Sequence, residues 1–164
     1  MKRPANKSLA VRILAGLIGA STLASQSVGA SNTKSTHAVA SVERTIKDLT
    51  AEFVEGYNSG NVKRMMHLHG PTYVDVNLPN PRQTRVQRRD YYLKVLSRGD
   101  SRIEVVPQQI EVDGNRALVW GKLTIHNGPK NEHGKTQRLR YMEVWRKLPE
   151  GWRATWGMDA EVFE

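Results

Sequence analysis

Trp152-Arg153-Ala154-Thr155-Trp156-Gly157-Met158-Asp159-Ala160-Glu161-Val162-Phe163 is the stretch that decides the fold. Trp152, Ala154, Trp156, Met158, Ala160 and Val162 fall on every second position, and Arg153, Thr155, Asp159 and Glu161 fall between them. A period of two marks a half-buried antiparallel strand. Working backwards, Pro149-Glu150-Gly151 is a turn, Leu139 to Lys147 a strand, and 128–134 a polar loop. Ala117 to Ile125 is another strand, preceded by the tight-turn pair Asp113-Gly114 and by the alternating run from Ile103 to Val112. The C-terminal half therefore predicts four antiparallel strands.

Upstream the period changes. Val42, Ile46, Leu49, Phe53 and Tyr57 recur at helical spacing and form one apolar stripe. Asn58-Ser59-Gly60 ends that helix, Asn61 caps a second one from Val62 to about Leu68, and Gly70-Pro71 closes it. Tyr73-Val74-Asp75-Val76-Asn77 alternates, with Val74 and Val76 on one face and Tyr73, Asp75 and Asn77 on the other. A third helix is expected from about Arg85 to Ser97. The order predicts an α+β domain with three helices gathered on one face of a curved, mostly antiparallel sheet that encloses a pocket.

The first thirty residues read differently. Lys2, Arg3 and Lys7 precede an uncharged run from Ile13 to Leu23, and Val28-Gly29-Ala30 places small residues where a signal peptidase cuts. The run is too short to span a bilayer, which takes roughly 20 apolar residues. The expectation is a signal peptide at 1–30 cleaved near Ala30, a disordered lead-in at 31–40 rich in Ser, Thr and Ala, and one domain at 41–164. The mature protein would be periplasmic or secreted, with no stable membrane anchor. The chain carries +9, of which Lys2, Arg3, Lys7 and Arg12 supply +4; the rest has 21 basic against 16 acidic residues. A charge of that size without a clustered module does not point to nucleic acid. The chain has no cysteine, which excludes disulfides, thiolate chemistry and zinc–thiolate sites.

The element order and three phrases resemble the NTF2-like superfamily, with its SnoaL-like, DUF4440 and ketosteroid isomerase branches. The phrases are Phe53-Val54-Glu55-Gly56-Tyr57-Asn58-Ser59-Gly60-Asn61, Arg89-Asp90-Tyr91-Tyr92, and Val144-Trp145-Arg146-Lys147 followed by Gly151-Trp152-Arg153. The resemblance covers about 41–164 and implies a conical cavity between helices and sheet. Ketosteroid isomerases work there with a carboxylate base on the first strand, and with a tyrosine and a protonated acid as oxyanion donors. Laid on this chain without gaps, those positions fall on Asn77, Phe53 and Glu143 respectively. Phe53 has no donor and Asn77 is no base, so steroid isomerisation by that mechanism is rejected; a slip of two residues puts Asp75 in the base role.

Glu143 and Asp75 are thus the candidate catalytic residues, and Asn77, Arg88, Tyr57, Trp145 and Trp120 the candidate ligand contacts. Alternation puts Tyr141, Glu143 and Trp145 on one face. Facing a cavity, Glu143 is desolvated and acts as an acid; facing solvent, or paired with an arginine, it is structural. Asp75 is either a base or an ion-pair partner. Arg88 belongs to a basic group with Arg82, Arg85 and Arg89 at a helix start, where cations oppose the helix dipole and call for a compensating acid or ligand. The superfamily pattern usually places an apolar, inward residue at Arg88, so an arginine there is a candidate clamp for an anionic group. The four tryptophans stack a ligand or pack the core. His67, His69, His126 and His133 lack ligand spacing, and no metal or cofactor is expected. The function expected is an exported domain that binds a small hydrophobic or anionic organic ligand, with or without acid–base activity of isomerase, cyclase or dehydratase type. The alternative is a non-catalytic module that homodimerises through its open sheet.

Overall fold

The structure, a computed structural model, describes residues 29–77, 82–127 and 136–161. The signal peptide read at 1–30, save Gly29 and Ala30, the loop at 128–134 and Val162 lie outside the described residues. Helix α1 (Gly29–Asn58) is followed by α2 (Val62–Leu68), β1 (His69–Asn77), the two-residue β2 (Gln83–Thr84), α3 (Arg85–Leu96), β3 (Arg102–Asp113), β4 (Arg116–His126), β5 (Thr136–Leu148) and β6 (Gly151–Glu161). The six strands form one sheet in the order β2-β1-β6-β5-β4-β3. All neighbours are antiparallel except β1 and β6, which run parallel.

Local chemistry accounts for the boundaries. Gly60 takes φ 71° just past α1, a conformation that favours glycine. Asn61 accepts a hydrogen bond from the Arg64 backbone and caps α2. Thr84 and Gln87 form a capping box at the start of α3. The Asn58 side chain donates to the Ile103 carbonyl at 3.0 Å and accepts from its N–H at 2.8 Å, fastening the end of α1 to β3.

Two expectations are corrected here. The lead-in read at 31–40 is helical, because α1 begins at Gly29; no proline or glycine stands between Ala30 and Ser41 to stop a helix already running. The last strand does not keep one face throughout. Val144 pairs with Trp156 while Trp145 pairs with Ala154, so Thr155 is an extra residue, a β-bulge. Trp152 and Ala154 lie in the core with Ile46, Val119 and Trp145. Beyond the bulge the phase inverts: Gly157 faces Glu143 and Asp159 faces Tyr141 in the ladder, while Trp156 and Met158 turn to the outer face with Val144 and Met142.

Candidate functional site

The inner face of the sheet carries a polar cluster built from Asp75, Glu143, Tyr73 and Arg88. Asp75 on β1 lies beside Gly157 on β6, which in turn lies beside Glu143 on β5. Gly157 makes this approach feasible: a Cβ there would stand 2.6 Å from Tyr73 Oη and 3.5 Å from Asp75 Oδ1. The three strands thus bring two carboxyl groups and a phenol over one bare stretch of backbone.

Arg88 reaches the cluster from α3. Its Nη1 lies 2.8 Å from Asp75 Oδ2, with side chains 13% and 4% exposed, and its Nε donates to Tyr92 Oη at 2.9 Å. Nη1 also donates to Gln83 at 3.4 Å, and the guanidinium lies 4.9 Å and 4.7 Å from the ring centres of Tyr91 and Tyr92. The compensating acid expected for cations at this helix start is Asp75. The other arginines go elsewhere. Arg85 donates to the Met66 and His69 carbonyls at the end of α2, and Arg89 pairs with its neighbour Asp90.

Burial raises the Asp75 carboxyl above its ordinary value even though Arg88 and the Val76 N–H pull it down. Burial also pushes Glu143 up to about 7, with the Trp145 hydrogen bond opposing, Asp75 adding to the rise, and Arg88 opposing it weakly. Trp145 Nε1 donates to Glu143 Oε2 at 2.9 Å and fixes that carboxyl group. Glu143 stands mid-strand on the inner face and is half-buried. A carboxyl group poised near neutrality in such a place can both give and take a proton.

His69 opens β1 and stacks on Tyr73, ring centres 3.9 Å apart and planes within 2°. Burial, with Arg88 and Arg85 nearby, lowers its pKa to about 3, so it is neutral. Its Nδ1 and the Tyr141 hydroxyl are buried without a hydrogen-bond partner among the described residues. No group of residues suited to holding a metal ion occurs among the described residues.

Of the residues singled out from sequence, Asp75, Arg88, Glu143 and Trp145 come together. Asn77 closes β1 in register with Asp159. Tyr57 is apart from the cluster: its hydroxyl bonds Ser101 Oγ at 2.9 Å within the packing between α1 and α3. Trp120 is corrected. It pairs with Met142, one residue out of phase with Val119 and Glu143, and so belongs to the outer face. Tyr92 and Asp159 escaped sequence reasoning. Tyr92 follows Arg88 by one helical turn, a spacing that would have found it; Asp159 was hidden by the bulge.

The SnoaL-like domain family matches residues 50–152. The fold is similar to an NTF2-like protein with a cystatin-like fold from Novosphingobium aromaticivorans, at TM-score 0.66 and 15% identity over 82% of this chain and 91% of that one. It is similar to an NTF2-like superfamily protein from Salmonella enterica, at TM-score 0.65 and 17% identity over 77% and 94%. A ketosteroid isomerase-like protein from Erwinia carotovora atroseptica gives TM-score 0.59 and 11% identity over 73% and 95%. At such identities the likeness is one of fold. No curated protein matches the chain.

Proposed function

Because the chain belongs to the SnoaL-like domain family, we propose that it binds a small organic molecule inside its cone and performs acid–base chemistry on it, with Glu143 as the proton-transferring group. The observation that carries this reading is the convergence of Asp75, Arg88 and Glu143 on one inner face. Trp145 holds one oxygen of Glu143, so in the acid form the proton sits on the other. Arg88 serves as a structural anchor: Asp75 already neutralises it, which favours an uncharged, carbonyl-bearing ligand over an anionic one. Glu143 then protonates or deprotonates the ligand beside that carbonyl, in the manner of an isomerase, cyclase or dehydratase. Export to the periplasm or beyond, with cleavage near Ala30, belongs to the same proposal, and mass-spectrometric reading of the mature N-terminus tests it.

The chemical test is hydrogen–deuterium exchange. A panel of uncharged cyclic and aromatic ketones is incubated in deuterated buffer, and loss of the protons next to the carbonyl is followed by NMR. The wild type should accelerate exchange of at least one member, and Glu143→Gln should abolish that acceleration. Exchange at the buffer rate across the panel with the wild type leaves a binding domain without catalysis.

Homodimerisation through the open sheet is the second reading. It rests on the half-buried outer-face residues Trp120, Met142, Trp156 and Met158, next to a Val106 that is 54% exposed. Sedimentation equilibrium tests it: a single species at monomer mass over the micromolar range would dismiss it.

A further inference from the structure

On the outer face three arginines stand in one row across three adjacent strands. Arg116 on β4 pairs directly with Arg146 on β5, and Arg146 pairs directly with Arg153 on β6. Side chains paired in this way lie on the same side of a sheet with Cβ atoms about 5 Å apart, and like charges so placed repel. The packing gives no compensation, because none of the three forms an ion pair among the described residues. Asp113 stands in register with Arg116 without forming an ion pair with it, and Glu150 contributes only its carbonyl.

Arg153 is the anchor of the row. It is 7% exposed, and its guanidinium donates to the Trp152 and Glu150 carbonyls at 2.7 and 3.0 Å and meets His67 Nε2 at 3.1 Å. These contacts hold the Arg153 guanidinium in a fixed place at the end of the row. Arg146 and Arg116 are exposed and carry guanidinium donors that can reach a ligand. Neighbouring strands are about 4.8 Å apart, so the row spans about 10 Å. That length suits a group with charge on more than one phosphorus centre.

We propose that Arg116, Arg146 and Arg153 form a binding site for a multiply charged phosphate group, separate from the inner cluster and on the opposite face of the sheet. Two exposed guanidinium forks grip the phosphate oxygens, and the fixed cation behind them strengthens the field. The same chemistry is offered by a soluble pyrophosphate ester and by the head groups of an anionic lipid surface.

The test is calorimetric titration of the purified protein with sodium pyrophosphate at fixed ionic strength, repeated with Arg146→Gln and with Arg138→Gln. Both positions are exposed, and both variants lose the same net charge, but Arg138 pairs with Thr124, far from the row. The expected result is binding that Arg146→Gln weakens about tenfold and Arg138→Gln leaves within about twofold, as bidentate contacts exceed diffuse surface charge. No binding by the wild type, or equal losses in both variants, would overturn the site. Co-sedimentation with phosphatidylglycerol vesicles separates the sources. Arg146-dependent pelleting identifies a lipid head group, and pyrophosphate binding without pelleting identifies a soluble ligand.

Discussion

Asp75 and Arg88 form an ion pair of 2.8 Å between the first long strand and the third helix, with both side chains largely withdrawn from water. Removing one partner strands the other. Asp75→Asn should destabilise the fold by about 3–5 kcal/mol, the usual cost of leaving a buried charge unpaired. The double variant Asp75→Asn/Arg88→Met should lose less than the sum of the two single changes. Urea denaturation of all four proteins measures the coupling, and strict additivity would show that the pair does not interact energetically.

Glu143 makes stability depend on pH in a defined direction. Its folded value, about 7, lies above its ordinary value of 4.5, so the folded state holds the proton more tightly than the unfolded one. Its contribution is complete below pH 4.5 and is lost as pH rises through 7. Glu143→Gln should therefore lose less stability than the wild type between pH 4.5 and 8, by of order 2–3 kcal/mol. A carbon-13 titration of the Glu143 carboxyl should show a midpoint near 7; a midpoint at the ordinary glutamate value would remove it as an acid.

His69 acts in the opposite sense. Its folded value, about 3, is depressed from 6.5, so its contribution is present above pH 6.5 and fades as acid protonates the unfolded chain. His69→Phe keeps a ring against Tyr73 and removes the unpartnered Nδ1. Thermal melts between pH 7 and 5 should show a smaller fall for the variant than for the wild type. Parallel falls would mean that another group carries the acid sensitivity.

Gly157 is kept small by its neighbour. A Cβ would stand 2.6 Å from Tyr73 Oη, so Gly157→Ala should cost about 1–3 kcal/mol through overpacking. Adding Tyr73→Phe should recover part of that loss by removing the clashing oxygen. Failure of the second change to recover anything would place the strain elsewhere.

The fold was legible because it rests on periodicity. The stripe from Val42 to Tyr57, the cap at Asn61 and the alternation of β3 to β6 are local signals, and each produced its element. The pairing of Asp75 with Arg88 was only half legible. A basic helix start demanded an acid, but the partner comes from a strand that nothing local ties to the helix. Trp120 was misplaced because four tryptophans in a small domain look equivalent until register assigns their faces. Two-residue β2 was missed since its strand character comes from pairing with Val74 and Asp75 rather than from Gln83 and Thr84 themselves. Asp159 and Gly157 were lost to a single residue, Thr155, whose presence cannot be inferred from alternation that looks unbroken.

That residue gives the sheet a property of a reading frame. Every position of β6 after Thr155 owes its side to the one additional residue in the bulge. Substituting Thr155 would leave the arrangement of Gly157 and Asp159 intact, whereas deleting it would turn both outward and carry Trp156 and Met158 into the cone. Among descendants of this chain, length at this point is therefore under stricter constraint than identity. A relative one residue shorter here would have to present a differently lined interior, however similar its letters.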